Sequence, residues 1–321
     1  MKRKCIIQGI FFLITFSASA FSASALPIKE TPFTEQLVTL KTTTGLIQGT
    51  LTIPDNSQNI PVALIIAGSG PTDRDGNNPY IKNDCLKKLA HSLAALNIAS
   101  LRYDKRGVAQ SKLAVSKEDS LNFDNYIEDA KDWIALLKKK QFTQIVIIGH
   151  SEGSLIGMLA ADHANKFISL EGAGQSADKI LKEQLNSQPQ QIKDLTFLMI
   201  DSLKNGHKVT NVSPFLSSLF RPSVQPYLIS WFKYSPEEEL KKLKIPTLII
   251  QGTKDLEVTT ENAKQLAKAN LKAKLVFIEG MNHILRKVNG EREENISTYN
   301  NISLPIDKQL IIEVSHFILE K

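Results

Sequence analysis

From residue 61 onward the chain alternates two apolar patterns. "PVALIIAG" (61–68) is a continuous apolar run ending in glycine, as expected of a strand buried on both faces. Further short strands are expected at "IASLRYD" (98–104), "QIVIIGH" (144–150), "FISLEG" (167–172), "TLIIQG" (247–252) and "AKLVFIEG" (273–280). Between them lie stretches with helical spacing. "CLKKLAHSLAALN" (85–97) puts Leu86, Leu89, Leu93 and Leu96 on one face, and "NYIEDAKDWIALLKKK" (125–140) is a long amphipathic helix. Helices are also expected over "EGSLIGMLAADHA" (152–164), from about Thr260 to Ala269, and around 306–319. Ahead of all these, "EQLVTLKTTTGLIQGTLTIP" (35–54), with Gly45 at a turn, reads as antiparallel strands. Strands alternating with helices predict an α/β fold: a mostly parallel, doubly wound sheet with antiparallel N-terminal strands.

The alternation breaks between residues 175 and 240. "DKILKEQL", "QIKDLTFLMIDSLKNG" and "SPFLSSLFRPSVQPYLISWF" are helix-like or irregular, without a convincing strand. Their load of Leu, Phe, Met and Trp has to face something, so this stretch is expected to be a helical cap inserted into the core. The expected division is a leader at 1–25, a core from 26–174 and 241–321, and a cap at 175–240.

The leader changes the charge. Lys2, Arg3 and Lys4 precede an apolar stretch, Ile6 to Phe16, too short to span a bilayer, and two small-x-small sites follow at Ala18-Ser19-Ala20 and Ala23-Ser24-Ala25. That is the pattern of a secretory signal peptide, with cleavage favoured after Ala25 and Ala20 as the second site. The expected location is periplasmic or extracellular, with no stable membrane span once the leader is gone. The formal net charge is +6, and half of it leaves with the three basic groups of the leader. No stripe of Lys and Arg beside aromatic residues suggests nucleic-acid binding. Cys5 would also leave, so Cys85 alone remains and no internal disulfide is expected.

Gly149-His150-Ser151-Glu152-Gly153 fits G-x-S-x-G directly after an expected buried strand and directly before an expected helix. A serine on that turn is forced into a strained conformation that presents its hydroxyl at the strand end. Glycines flank it because a Cβ there would collide with the neighbouring strand and helix.

Taken with "GSGPTDRDG" (68–76), "YDKRGVAQS" (103–111), "QGTKDLEV" (251–258) and "GMNH" (280–283), this motif resembles the α/β-hydrolase superfamily over roughly residues 35–321, and within it capped bacterial carboxylesterases. The second motif departs from its usual D-x-R-G-x-G-x-S form, with Ala109 in place of a glycine. The resemblance implies Ser151 as nucleophile. Its base is implied at His283, after the last strand, whereas His91, His163 and His316 lie in helical patterns, His207 in a polar cap loop, and His150 diverges from its neighbour. The chain order Ser151, Asp255, His283 makes Asp255 the orienting acid, with Glu171 the runner-up at the end of the preceding strand; Glu257 and Glu279 are less well placed. Oxyanion donors are expected from the backbone N–H groups of Glu152 and Ser69. Arg74 is expected to brace the Ser69 loop and to neutralise a nearby acid, with Glu152 the candidate.

No H-E-x-x-H and no cysteine pair suggests a metal, and no Gly-rich phosphate loop suggests a nucleotide, so no cofactor is expected. The implied activity is hydrolysis of small carboxylic esters of short to medium acyl chain through an acyl-enzyme. A serine peptidase or a thioesterase/acyltransferase on the same fold, and a catalytically silent binding protein, remain the alternatives, because a triad does not choose its acyl group. If the leader is a signal, the mature chain begins at Leu26 or Phe21. Intact mass of the protein from a periplasmic or culture fraction checks this, and a full-length species in the cytosol alone would refute it.

Overall fold

The apolar runs assemble into one sheet. The computed structural model describes residues 31–55 and 57–320, so the expected leader lies outside the described residues. The elements in chain order are β1 (Phe33–Lys41), β2 (Leu46–Pro54), β3 (Val62–Ile66), α1 (Cys85–Ala95), β4 (Ala99–Tyr103), α2 (Phe123–Lys139), β5 (Ile145–His150), α3 (Glu152–Ala160) and β6 (Lys166–Leu170). Then come α4 (Ala177–Leu185), α5 (Gln190–Lys204), α6 (Ser217–Phe220), α7 (Gln225–Trp231), α8 (Pro236–Lys242), β7 (Thr247–Gly252), α9 (Thr260–Ala269), β8 (Lys274–Ile278), α10 (Arg292–Thr298) and α11 (Lys308–Leu319). The strand order is β1-β2-β4-β3-β5-β6-β7-β8. β2 runs against both of its neighbours, and every pairing from β4 to β8 is parallel. This is the mostly parallel, doubly wound α/β sheet expected from the sequence.

The continuous apolar strands follow from burial on both faces. Val62, Leu64 and Ile66 of β3 pack with Phe123, Trp133 and Leu137 of α2 on one side. Ala63, Ile65 and Ala67 pack with Leu89 and Leu93 of α1 and Leu310 and Val314 of α11 on the other. A polar residue at any of these positions would lose its water without a partner. α2 starts where Asn122 and Asn125 cap each other's backbone N–H groups, at 3.1 and 3.0 Å. α3 is shorter than expected and gives way to a 3-10 turn at Ala161–His163. α10 was not expected at all.

Parallel strands place their carboxyl ends on one edge. Because β3, β5, β6, β7 and β8 are successive neighbours, the loops that follow them line up there, the usual location for a ligand in an open α/β sheet. Helices α4–α8 occupy the chain between β6 and β7. α7 docks on the start of α2 through rings: Trp231 stacks on Phe123 at 5.8 Å, and Tyr227 meets Tyr126 edge-on at 5.8 Å. Among the described residues, no helix is long and apolar enough to cross a membrane.

Candidate active site

Ser151 stands between β5 and α3 with φ 54° and ψ −120°. A positive φ is costly for a residue with a side chain, and it persists here because the surroundings over-determine it. A Cβ on Gly149 would land on the Gly153 backbone, and one on Gly153 would land on the Ile66 carbonyl. Both glycines are therefore required by space. Glu152 opens α3, so its N–H is among those a helix leaves without an intrahelical acceptor. The loop after β3 passes close by: a Cβ on Gly68 would sit 3.1 Å from Ser151 Cβ. Ser69, the next residue, borders the same space as Ser151 and Glu152.

The loops after β7 and β8 bring Asp255 and His283 together. His283 Nδ1–H donates to Asp255 Oδ2 at 2.7 Å. Asp255 Oδ1 accepts the N–H groups of Glu257 at 2.7 Å and Val258 at 2.9 Å, which fixes the carboxylate plane. Burial alone would raise the Asp255 pKa, but His283 and these donors hold it well below the usual carboxylate range. Burial likewise opposes a charged His283, yet Asp255 and then Glu257 outweigh it and raise its pKa to about 9. The Nε2 of His283 faces Glu257 Oε2 at 3.4 Å. Ser151 and His283 border one small chamber, and no direct Ser151–His283 hydrogen bond is present among the described residues. Such contacts are often loose before substrate binds.

Glu171 lies behind this pair rather than beside the imidazole. It accepts from Gly252 N–H at 2.9 Å and from the Gln251 amide, and the same amide reaches Asp255 Oδ2 at 3.0 Å. Full burial, and then the Asp255 charge, push the Glu171 pKa well above the usual range. Glu171, Asp255 and His283 offer ligand atoms within 4.8 Å of one another, a spacing that could also hold a metal ion. Here the hydrogen bonds just described already engage those atoms.

One expectation is corrected. Arg74 does not reach Glu152: its guanidinium pairs with Asp104 at 2.6 Å and also donates to Thr50 and Gln110. Glu152 is instead paired with buried Lys105 at 2.8 Å and accepts from the Tyr227 hydroxyl of α7. His150 contacts the His283 loop. Burial, and then the charge of His283, lower its pKa to about 3, and its Nε2–H donates to the His283 backbone carbonyl at 2.8 Å. Sequence reasoning missed Gln251, Lys105 and Tyr227. "YDKRG" was a visible signal for Lys105, but nothing in it pointed to a partner.

Two chambers meet at Ser151. The larger, about 620 Å³, lies under α7 and is lined by apolar side chains including Leu155, Ile180, Leu219, Leu228 and Trp231. The smaller, about 200 Å³, holds His283 with Thr72, Asn78, Asn83, Glu257 and Tyr299. Cys85 also borders it, and burial pushes its thiol up to about 12, which leaves it unreactive.

A strained serine at a sheet's carboxyl edge, near a buried His–Asp pair, belongs to a known class. The chain is a hydrolase with the α/β-hydrolase fold, and its likeness is among esterases. Residues 83–212 match the family described as Serine aminopeptidase, S33. Esterase EstD of Thermotoga maritima is 25% identical over 342 residues, covering 100% of this chain and 75% of the relative. Proline iminopeptidase PfmaB of Pestalotiopsis fici is 28% identical over 216 residues, covering 57% of this chain and 74% of the relative. The structure of ferulic acid bound to Est1E from Butyrivibrio proteoclasticus has the same fold, with a TM-score of 0.61 at 19% identity over 88% of this chain and 100% of that one.

Two outcomes follow from the acid pair and from Glu257. Asp255→Asn removes the acceptor that selects the imidazole tautomer, and by analogy with serine proteases turnover falls by about 10⁴-fold. Glu171→Gln, which leaves the Asp255–His283 hydrogen bond in place, costs far less. Hydrolysis of one activated ester by both folded variants checks the assignment, and a larger loss in Glu171→Gln would reverse it. A general base must be unprotonated, so carboxylates beside His283 delay its activity to higher pH. Glu257→Gln removes one of them, and the acid limb of the kcat/KM profile moves to lower pH by roughly one unit. A profile superimposable on the wild type would show that Glu257 does not sense the imidazole.

Proposed function

We propose that the protein is an exported serine esterase that cleaves small carboxylic esters of short to medium acyl chain through an acyl-enzyme. The observation that carries this reading is Ser151, held at a strained turn in the same chamber as the buried His283–Asp255 pair. Ser151 Oγ attacks the ester carbonyl while His283 Nε2 takes its proton. Asp255 holds the ring and stabilises the imidazolium that forms. The N–H groups of Ser69 and Glu152 receive the developing oxyanion. His283 then returns the proton to the departing alcohol, and water, activated by the same base, releases the acid. A leaving group must lie within reach of His283, so it takes the smaller, polar chamber that contains this residue. The acyl chain takes the larger apolar one.

Support for an ester substrate comes from the likeness to Esterase EstD along the whole chain and from the apolar lining of the larger chamber. Export rests on the pattern of residues 1–25. Of the large apolar side chains between β6 and β7, Leu219 and Trp231 line the chamber. Leu198 and Phe215 are 70% and 74% exposed, and Phe197 lies against Lys182. A second reading, release of an N-terminal amino acid, is favoured by one observation: the Glu257 carboxylate borders both chambers and would attract an ammonium group near the scissile bond.

A panel of p-nitrophenyl esters of increasing chain length, a thioester and an aminoacyl arylamide separates these readings. The expected result is fastest turnover on short to medium acyl esters, abolished in Ser151→Ala together with labelling by a fluorophosphonate. Preference for the arylamide would replace the esterase reading with the peptidase one. Labelling that persists in Ser151→Ala would remove Ser151 as nucleophile.

A further inference from the structure

We infer that Lys105 is a positioning residue for the oxyanion site, acting through the Gly68–Ser69 peptide that it holds from behind. The inference rests on the serine-hydrolase reading and adds a residue to it. Lys105 follows β4 and is fully buried, with 1% of its surface exposed. Its ammonium donates to the Gly68 carbonyl at 2.5 Å and to Glu152 Oε1 at 2.8 Å, and it sits 4.9 Å from the centre of the Tyr126 ring. One cation thus touches the two segments whose N–H groups are proposed to bind the oxyanion: the loop after β3 and the first residue of α3.

The geometry of the peptide unit gives this contact a consequence. In a trans peptide the carbonyl of one residue and the N–H of the next point in opposite directions within one plane. Pinning the Gly68 oxygen onto the Lys105 ammonium therefore fixes the Ser69 N–H on the far side. Ser69 borders both chambers there, while Lys105 borders neither. Gly68 lacks a side chain to restrain this plane, so the restraint has to come from outside. A cation on the carbonyl also withdraws electrons from the amide and makes its N–H a better donor. The same ammonium neutralises the carboxylate of Glu152, a charge that would otherwise oppose an oxyanion forming beside that residue's own N–H.

Lys105→Met alone strands the Glu152 charge in the interior and tests folding as much as chemistry. The informative comparison is Glu152→Gln against Lys105→Met/Glu152→Gln, in which neither variant buries an unpaired carboxylate. Thermal melting verifies that both fold. Steady-state turnover of a short activated ester and inhibition by a trifluoromethyl ketone, whose serine adduct carries the oxyanion, are then measured. The expected result is a kcat for the double variant about 10²-fold below that of Glu152→Gln, the order seen when one oxyanion donor is lost. KM is little changed, and the ketone binds more weakly by a similar factor. Equal kcat and equal ketone affinity in the two variants would overturn the inference, because Lys105 would then act only as the counter-charge of Glu152. A rise in KM with kcat preserved would overturn it too, since that is lost ground-state binding. Fluorophosphonate labelling of the wild type keeps the two readings apart. No labelling of Ser151 sinks the serine-hydrolase reading itself, whereas labelling with equal variants sinks only the role of Lys105.

Discussion

Space is scarce at the turn that holds Ser151, and much of the site is arranged around it. α3 approaches β3 and β5 so closely that Gly149, Gly153 and Gly157 have no room for a side chain; a Cβ on Gly157 would lie 2.8 Å from Ile147 and 2.9 Å from Phe167. A backbone at φ 54° costs on the order of 1–3 kcal/mol for a residue with a side chain. That strain is offset by burying α3 on almost every side. Loosening the packing would relax the serine and move the Glu152 N–H, the proposed oxyanion donor, at the same time.

Buried charge imposes the second constraint. In "RYDKR" (102–106) every charged side chain reaches a different part of the molecule. Arg102 pairs with Asp75 and Glu35, Asp104 with Arg74, Lys105 with Glu152, and Arg106 with Asp129 on α2. Taking such pairs out of water often costs as much as their attraction returns, so they are weak evidence for stability. Their geometric effect is clear, however. Asp75 and Arg74 belong to the loop that also carries Ser69, and they tie it to the end of β4 at two points, with Lys105 as a third tie at Gly68.

The continuous strands were legible because burial on both faces leaves little but apolar side chains in them. The order of Ser151, Asp255 and His283 was legible because a parallel sheet converts sequence order into alignment along one edge. What could not be read was which basic residue meets which acid. Arg74 and Lys105 both lie in loops at that edge, and the choice between them depends on how β3 and β4 stand side by side. α10 escaped for a different reason. "REENIST" has no apolar stripe, and its buried residues are Asn295 and Thr298, which accept from Asn282, the neighbour of His283, at 2.8 Å each. A helix held by polar contacts leaves no periodic trace.

The helices between β6 and β7 are coupled to the chemistry. Tyr227 of α7 donates to Glu152, the residue whose N–H is the proposed oxyanion donor and whose carboxylate is bound by Lys105. The same tyrosine borders the larger chamber, and its ring packs against Phe123 and Tyr126 of α2. One side chain of α7 is therefore both a wall of the larger chamber and a member of the network behind Ser151. Moving α7 to admit a bulkier chain would withdraw a hydrogen bond from a buried carboxylate, and the charge left behind sits beside the forming oxyanion. In this arrangement acyl size and transition-state stabilisation are not independent. A substrate that fits the chamber leaves the network intact, and one that displaces the wall weakens the electrostatic site that must act on it.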